Sequence, residues 1–526
     1  MALLGKNMGL TYTRAISLLL TLLISWGVWS EPVWARSPQP DAPVSPAPTS
    51  IQPYLDGVAR NVTEFTLKNG IKFIVLERHK APVIAFHTYA DVGGINEPEG
   101  QTGVAHYLEH LAFKGTRRIG TLDYTAEKPL LDQLDQLFDQ IQTAKAGGDR
   151  DRLDRLQAEF AQVEAEANRY VKQNEIGQIV TQLGGVGLNA TTSADATRYF
   201  YSLPANKLEL WMSLESERFL EPVFREFYKE KEVILEERRL RTDNSPVGQM
   251  IEAFLGTAFS VHPYQRPVIG YSADLRNLTR QNVQDFFDTY YGPNNLTIAI
   301  VGDVNPKQVK RLAQTYFGRF PAKTTPPPEV SAVEPPQTET KVVTLELDSQ
   351  PWYLEGYHRP SITHPDHVVY DLMANILSSG RTSRLYRSLV ETQQLALSAQ
   401  GASSFPGDKY PNLMLFYALT APGHTVTEVA TALNQEIERL RTEPVTDLEL
   451  ERVKTQARAR LLRSLNSNSG MADLLTEYEV KTGSWRNLFT ELTAIERVSG
   501  SDIQRVAQAT FTPENRTVGQ LLSKSS

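Results

Sequence analysis

Hydrophobic and polar residues alternate in different ways along the chain, and the alternation predicts its elements. Apolar runs at 65–67 and 71–76 flank Asn69-Gly70, a pair that favours a tight hairpin turn. Residues 83–89 and 296–301 are almost continuously apolar, which is typical of buried strands. Further strands are predicted at 188–192, 197–202, 342–345 and 413–418, and helices at 175–183, 207–219, 226–241, 366–377, 426–441 and 447–466. The pattern predicts an α+β fold in which one unit is used twice.

Residues 122–170 have a different period. Leu130, Leu134, Leu137 and Ile141 repeat at four-three-four spacing, and a second apolar stripe follows Gly147-Gly148. The second stripe consists of Leu153, Leu156, Phe160 and Val163. We interpret the segment as an inserted two-helix hairpin. A docking arm and a solvated structural elaboration both fit this pattern.

Composition narrows the class of protein. The chain has 526 residues, enough for two to four compact units, and a formal net charge of -7. It has no basic cluster of the kind that binds nucleic acid. It contains no cysteine, so disulfides and thiolate metal sites are excluded and a zinc ion must take nitrogen and oxygen ligands.

The N-terminus has the pattern of an export signal. Lys6 and Arg14 supply positive charge before an apolar stretch at 15–29, and we assign 1–35 to a signal peptide. The apolar stretch is shorter than the ~20 residues that a spanning helix needs, which favours a cleaved signal over a membrane anchor. The protein is therefore expected to be exported, to a periplasmic or extracellular location, with a signal-anchor as the alternative.

Proline-rich stretches predict the domain organisation. Residues 36–58 are assigned to an extended tether, and 324–338, which contains Pro326-Pro327-Pro328, to a linker. The linker separates a first domain at 59–323 from a second at 339–526.

The segment 103–115 carries the strongest chemical pattern. It reads as a short helix with Thr102 as its N-cap and Gly115 as its end. His106 and His110 are four residues apart, so their imidazoles lie on one helix face, and Glu109 directly precedes the second. This is the inverted His-x-x-Glu-His order of zinc peptidases. Two solvated surface histidines are the alternative, which the apolar neighbours argue against.

A catalytic zinc site normally takes a third protein ligand. The predicted helix at 226–241 offers Glu230 and Glu237, which share a face with Val233 and Ile234. A glutamate on an inward face needs a buried cation or donor. A solvated, charge-rich helix is the alternative, and the residues alone leave the choice of ligand open.

Taken together, these segments resemble the pitrilysin/insulinase family of zinc peptidases, and within it the mitochondrial processing peptidase-like branch. The resemblance runs from about residue 62 to the C-terminus. Its motifs are Gly93-Gly94, His106-Tyr107-Leu108-Glu109-His110, Phe113-Lys114-Gly115-Thr116, Leu188-Asn189-Ala190-Thr191-Thr192, the helix from Glu230 to Glu237, and His262-Pro263-Tyr264.

The resemblance implies two homologous α/β sandwich-like domains that form a clam-shell, the second without a metal motif. It implies one Zn²⁺ per chain, bound by His106, His110 and Glu237. Glu109 would be the general base, and Glu230 would support the site. Asn189 and Ala190 would align the substrate backbone by edge-strand pairing. The implied activity is endopeptidase cleavage of extended or unfolded peptides.

One departure from the family pattern concerns partners. Active members carry an arginine and a tyrosine, seven residues apart, in the C-terminal half, where this chain has Val390 and Leu397. We expect a second, family-related subunit to supply that pair, with a homodimer as the alternative. A non-catalytic peptide-binding or assembly subunit is the competing function, and a metal-dependent esterase or deacetylase is weaker.

Overall fold

The computed structural model describes residues 52–524. The predicted signal at 1–35 and residues 36–51 of the predicted tether lie outside this range. Residues 52–58 are not an extended tether, because they belong to helix α1 (Gln52–Arg60), in which Leu55 is fully buried. Within the described range, every helix is too short or too polar to serve as a membrane span.

The first six strands form one mixed sheet, ordered β1-β2-β6-β3-β5-β4. They are β1 (Val62–Thr66), β2 (Lys72–Glu77), β3 (Val83–Ala90), β4 (Val186–Thr192), β5 (Thr197–Pro204) and β6 (Leu296–Gly302). β2 and β6 run parallel, and the other neighbours are antiparallel. The apolar runs of β3 and β6 place them at the centre of the sheet. β4 pairs only with β5, so it is an edge strand of the described sheet.

Ten helices of the described chain follow α1 before the second sheet. They are α2 (Val104–Leu111), α3 (Tyr124–Gly147), α4 (Arg150–Ala167), α5 (Glu175–Gln182), α6 (Leu208–Leu220), α7 (Phe227–Arg238), α8 (Pro246–Ala258), α9 (Ser272–Asn277), α10 (Arg280–Tyr290) and α11 (Pro306–Tyr316). α2 packs against β4, α7 and α10. The core beside the sheet includes Phe86 stacked on Trp211, with ring centroids 4.4 Å apart.

Helices α3 and α4 form the predicted hairpin. Gly148 ends α3 in a left-handed conformation, and Asp149 caps α4 by accepting a hydrogen bond from the Arg152 N–H (3.0 Å). The two apolar stripes meet in a small core of their own, which includes Leu134, Leu137 and Leu156. The helical spacing of the two apolar stripes therefore correctly identified both helices.

The second sheet repeats the pairing of the first. It is ordered β7-β11-β8-β10-β9, with β7 (Lys341–Leu347), β8 (Trp352–Arg359), β9 (Ala396–Phe405), β10 (Asn412–Thr420) and β11 (Arg516–Ser523). β7 and β11 are parallel and the rest antiparallel, as in β2-β6-β3-β5-β4. Its helices are α12 (His367–Ser378), α13 (Val426–Thr442), α14 (Asp447–Asn466), α15 (Asn468–Thr482), α16 (Asn487–Arg497) and α17 (Gly500–Thr510). The prediction of one α+β unit used twice is confirmed.

Each sheet is covered in part by a helix from the other half of the chain. α15 packs on β3 and β6 of the first sheet, whereas α8 packs on β7 and β11 of the second. Arg198 of β5 pairs with Asp473 and Glu477 of α15, each at 3.2 Å. The predicted linker at 324–338 lies in a stretch between Arg319 and Lys341 that forms neither helix nor strand. Each half of the described chain therefore helps to cover the sheet of the other.

Candidate metal centre

Helix α2 begins differently from the prediction. Thr102 is not the N-cap, because its hydroxyl donates to Asp274 of α9 (2.6 Å). The Glu97 carboxylate instead accepts hydrogen bonds from the N–H groups of Gly103 (2.8 Å) and Ala105 (2.9 Å). Gly103 has φ 89, and a Cβ there would lie 2.7 Å from the Ile269 carbonyl oxygen, so only glycine fits this entry to the helix.

Three predicted ligands converge at one point. Nε2 of His106 lies 3.8 Å from Oε2 of Glu237, and Nε2 of His110 lies 3.6 Å from the same oxygen. Zinc bonds of about 2.0–2.1 Å at tetrahedral angles place neighbouring ligand atoms roughly 3.4 Å apart. The separations in the structure are close to that value, so one nitrogen from each histidine and one carboxylate oxygen fit a single zinc ion.

Glu230, the other predicted glutamate of α7, contacts the His110 ring at the nitrogen that does not face Glu237. Oε1 of Glu230 lies 2.8 Å from Nδ1 of His110, and Oε2 lies 2.5 Å from the Lys114 ammonium. Burial opposes the charge of Glu230, but the hydrogen bonds from His110 and Lys114 outweigh it and lower its pKa to about 2. Glu230 therefore stays ionised and accepts a hydrogen bond from the Nδ1–H group of His110, which leaves Nε2 free to bind a metal.

The inward face of α7 is narrower than the sequence suggested. Ile234 is fully buried, but Val233, assigned to the same face, is 46% exposed. The difference arises because Val233 lies about 100° around the helix from Ile234, so it falls at the edge of the face that Glu230, Ile234 and Glu237 share.

The histidines differ in their electrostatics. Burial, and secondly the neighbouring His110, lowers the pKa of His106 to about 3, so its ring is neutral. Burial also disfavours charge on His110, but the hydrogen bond to Glu230 and the charges of Glu237 and Glu109 raise its pKa overall. Nδ1 of His106 is buried and has no hydrogen-bond partner in the described chain. A neutral His106 can offer a ring nitrogen without a proton, and Glu230 at Nδ1 of His110 leaves Nε2 as the nitrogen that a metal would take in exchange for its proton.

Glu109 lies beside the converging ligands. Its Oε2 accepts a hydrogen bond of 2.6 Å from the Thr192 hydroxyl at the end of β4. Burial raises the pKa of Glu109 above its ordinary value, although that hydrogen bond opposes the rise. A cleft of about 350 Å³ opens next to Glu109 and His110. A carboxylate with a raised pKa at the wall of an open cleft suits a proton acceptor.

The strand next to Glu109 carries the two predicted substrate contacts. Asn189 is exposed and Ala190 is buried on β4. Because β4 has a strand on one side only in the described sheet, its outer edge offers backbone groups to a further strand.

Three neighbours of the site were missed by sequence reasoning: Lys114, Thr192 and Arg241. Arg241 donates to Oε1 of Glu237 (2.8 Å) from a π-helical turn, Arg239–Asp243, that follows α7. Lys114 and Thr192 lay inside motifs already singled out, and Arg241 is four residues from Glu237. Helical spacing was therefore a usable signal for Arg241, whereas the contact of Thr192 with Glu109 depends on tertiary structure.

The positions of the missing arginine and tyrosine lie in the second half. Val390 is half-buried in the π-helical segment Tyr386–Thr392, and Leu397 on β9 is 53% exposed. Neither side chain has the hydrogen-bonding groups of arginine or tyrosine.

Comparison with known families agrees with this geometry. The family model described as "Insulinase (Peptidase family M16)" matches residues 73–129 and 165–272, and "Peptidase M16 inactive domain" matches 277–457. A curated relative, "Zinc protease PqqE" of Helicobacter pylori, is 31% identical over 460 residues, which is 85% of this chain and 89% of that protein. The chain belongs to the M16 family. The predicted family is thus confirmed, and the gap in the first match, 130–164, falls within the α3–α4 hairpin.

Other M16 relatives extend the comparison. "Uncharacterized zinc protease YmxG" of Bacillus subtilis is 21% identical, covering 84% of this chain and 94% of that protein. The solved structure of a protease from Helicobacter pylori superposes with a TM-score of 0.74 at 28% identity, covering 88% of this chain and 99% of that one. A peptidase M16 inactive domain from Pseudomonas fluorescens gives a TM-score of 0.70 at 15% identity, covering 89% and 98%. The two-sheet M16 fold is shared, and relatives of this chain are named zinc proteases.

Proposed function

We propose that this chain is a zinc-dependent endopeptidase that hydrolyses extended or unfolded peptides. The observation that carries the proposal is the convergence of His106, His110 and Glu237, with Glu109 on the wall of the adjoining cleft. The naming of relatives as zinc proteases supports the class of reaction. We infer one zinc ion per chain, held by these three residues.

The residues of the chain have separate tasks in this reaction. A bound zinc ion would lower the pKa of a water molecule and polarise the scissile carbonyl. Glu109 accepts the proton that the attacking water loses and passes it to the leaving amine nitrogen. Thr192 holds the Glu109 carboxylate in place, and Glu230 fixes the ring of His110.

We further propose that substrate binds along β4. An extended peptide would add a strand at this edge, with Asn189 and Ala190 among its contacts. The Thr192 hydroxyl at the end of the same strand touches Glu109. A peptide aligned on β4 would therefore run directly past the general base.

The replacement of an arginine and a tyrosine by Val390 and Leu397 supports a proposal about partners. We infer that a second family-related subunit supplies the pair and that this chain is the metal-bearing half of a heterodimer. The export pattern at 1–35 supports a periplasmic or extracellular location, with anchoring by an uncleaved signal as the alternative.

Cleavage of an unstructured peptide library by the purified chain tests the proposal. We expect slow cleavage that a chelator abolishes, an increase on adding the co-purifying partner, and loss of turnover with retained zinc in Glu109→Gln. Glu99→Gln, at an exposed position before α2, is the matched control.

Three outcomes are informative. Chelator-resistant cleavage, or an active Glu109→Gln variant, would contradict the assigned chemistry. Fast cleavage by the chain alone would refute the heterodimer but leave the peptidase. A zinc-loaded chain that binds peptides and cuts none, with or without its partner, would establish the non-catalytic alternative.

A further inference from the structure

The α3–α4 hairpin is an addition to the family pattern, since the matched ranges omit 130–164. Its outer surface is polar and exposed, and its apolar stripes meet between the two helices. The same apolar cluster includes Tyr228, which belongs to α7. The hairpin therefore packs on the helix that carries Glu230 and Glu237.

Tyr228 is held by both helices of the hairpin. Its ring lies between Phe138 of α3 and Phe160 of α4, each with a centroid separation of 5.0 Å. Its hydroxyl donates to Oδ1 of Asp135 (2.8 Å), and Arg280 of α10 donates to Oδ2 of the same carboxylate (2.6 Å). One carboxylate on the hairpin thus joins the first turn of α7 to α10.

A second contact holds the next turn of α7. The Lys231 ammonium lies 4.1 Å from the centre of the Phe138 ring and donates to the Leu278 carbonyl (2.5 Å). The ammonium is largely buried, and that burial lowers its pKa to about 7. The side chain is therefore fixed between the hairpin and the start of α10.

The base of the hairpin also reaches the other metal-site helix. Glu127 of α3 pairs with Arg225 at 2.9 Å, and both side chains are fully buried. Arg225 also donates to the carbonyls of Lys114 (2.6 Å) and Thr116 (2.7 Å), which follow α2. The hairpin is therefore in contact with α7, which carries Glu237, and through Arg225 with the residues that directly follow α2, the helix of His106 and His110.

We propose that the hairpin is a brace that sets the position of α7 relative to α2, with Tyr228 and Asp135 as positioning residues. Tyr228 lies two residues before Glu230, and Glu230 holds His110 by its Nδ1. A shift of the first turn of α7 would move Glu230 and release the His110 ring. The proposal of a brace rests on the proposed function only in its premise that the bound metal is zinc.

Zinc affinity of the full chain, measured by chelator competition, tests the brace. Tyr228→Phe removes one hydrogen bond, whereas Asp135→Asn removes the charge that pairs with Arg280 and at least one hydrogen bond. For each variant we expect the zinc dissociation constant to rise roughly three- to tenfold. The visible spectrum of the cobalt-substituted protein should change, and kcat should fall with little change in KM. Tyr316→Phe is the matched control, because the Tyr316 hydroxyl also donates to a carboxylate, that of Glu209 (3.0 Å), but this bond joins α11 to α6.

A second variant separates the brace from a docking arm. Deleting 143–154 and closing the gap with a short turn removes the exposed tip and keeps Asp135, Phe138 and Phe160. We expect unchanged zinc affinity and unchanged peptide cleavage. Loss of cleavage in the tip deletion would overturn the brace. So would a Tyr228→Phe variant that keeps its zinc affinity and cobalt spectrum and loses only as much thermal stability as Tyr316→Phe.

Failure of the brace and failure of the proposed function give different results. A wild-type chain that binds zinc but cuts no peptide, with or without its partner, would refute the peptidase, and Tyr228→Phe would still report on the brace through zinc affinity. A chain that cuts peptides in a zinc-dependent way, with Tyr228→Phe indistinguishable from wild type, would refute the brace alone.

Discussion

Helices α2 and α12 occupy the same place in the two halves and differ in their chemistry. α2 follows β3, and α12 follows β8, which has the corresponding position in the second sheet. Each carries a histidine four residues before a second potential ligand: His106 before His110 in α2, and His367 before Asp371 in α12. In the described chain, His367, Asp371 and Glu491 form the other group whose ligand atoms lie within 4.8 Å of one another.

The two clusters differ in the group that faces Nδ1 of the histidine ring. Nδ1 of His110 faces the Glu230 carboxylate, which can only accept a proton, so Nε2 is free to bind a metal. Nδ1 of His367 lies 3.0 Å from the Arg359 guanidinium, which can only donate. Nδ1 of His367 therefore accepts a hydrogen bond, which places a ring proton on Nε2, and Arg359 places a positive charge beside this cluster. A similar set of residues thus forms the candidate metal site in one half and a polar cluster that includes an arginine in the other.

The largest expected effect comes from removing one histidine from each helix. We predict that His110→Ala weakens zinc binding roughly a thousandfold and abolishes peptide cleavage, because a third of the ligand set is lost. His367→Ala should leave zinc content at one ion per chain and cleavage unchanged. Metal analysis and chelator competition on both purified variants provide the measurement. Loss of zinc in His367→Ala would break the comparison.

Replacing Glu230, the acceptor beside Nδ1 of His110, tests whether this carboxylate accounts for the difference between the two clusters. We predict that Glu230→Gln weakens zinc binding roughly 10- to 100-fold, because the amide no longer fixes the ring with a full negative charge. Glu236→Gln on the same helix is the control, since Glu236 pairs with exposed Arg239 and contacts no histidine. Equal zinc affinities in the two variants would show that Glu230 does not hold the His110 ring in its binding orientation.

Strongly periodic segments of this fold could be predicted from the sequence, because one helix face or a whole strand is buried. The hairpin at 122–170 and the strands at 83–89 and 296–301 lie within a few residues of α3–α4, β3 and β6. Strands such as β9 and β11 were missed because their apolar residues are interrupted by glycine and polar positions.

The candidate site was only partly predictable. The spacing of His106 and His110 is local, so it is visible in the sequence, and a glutamate face on α7 was visible too. The choice of Glu237 over Glu230 required the family resemblance, because both lie on that face. Thr102 was misassigned as a cap because its partner, Asp274, is distant in sequence. The contact of Thr192 with Glu109 was missed for the same reason.

Arg241 allows a finer test of the candidate metal site. It holds the oxygen of Glu237 that faces away from the histidines, so Arg241→Gln should weaken zinc binding by up to roughly fivefold, the range of a partly exposed ion pair. Arg239→Gln breaks a similar ion pair, with Glu236, and should leave zinc affinity unchanged. Zinc titrations of both variants decide whether the second oxygen of Glu237 needs a fixed partner.

The smallest expected effect concerns the cluster of His367, Asp371 and Glu491. Burial, and secondly the charge of Asp371, raises the pKa of Glu491 from an ordinary 4.5 to about 8. The folded chain therefore holds a proton on Glu491 that the unfolded chain releases, so this group's contribution to stability falls as pH rises from about 4.5 to 8. Glu491→Gln stays neutral, and its melting temperature should drop less between pH 6 and pH 9 than that of wild type, by roughly 2 °C. A metal bound at this cluster would instead need an ionised Glu491, and zinc would then raise the melting temperature of wild type more than that of Glu491→Gln. Equal zinc effects on the two proteins, with the smaller pH dependence in the variant, would establish that the second half keeps a proton where the first half is built for a metal.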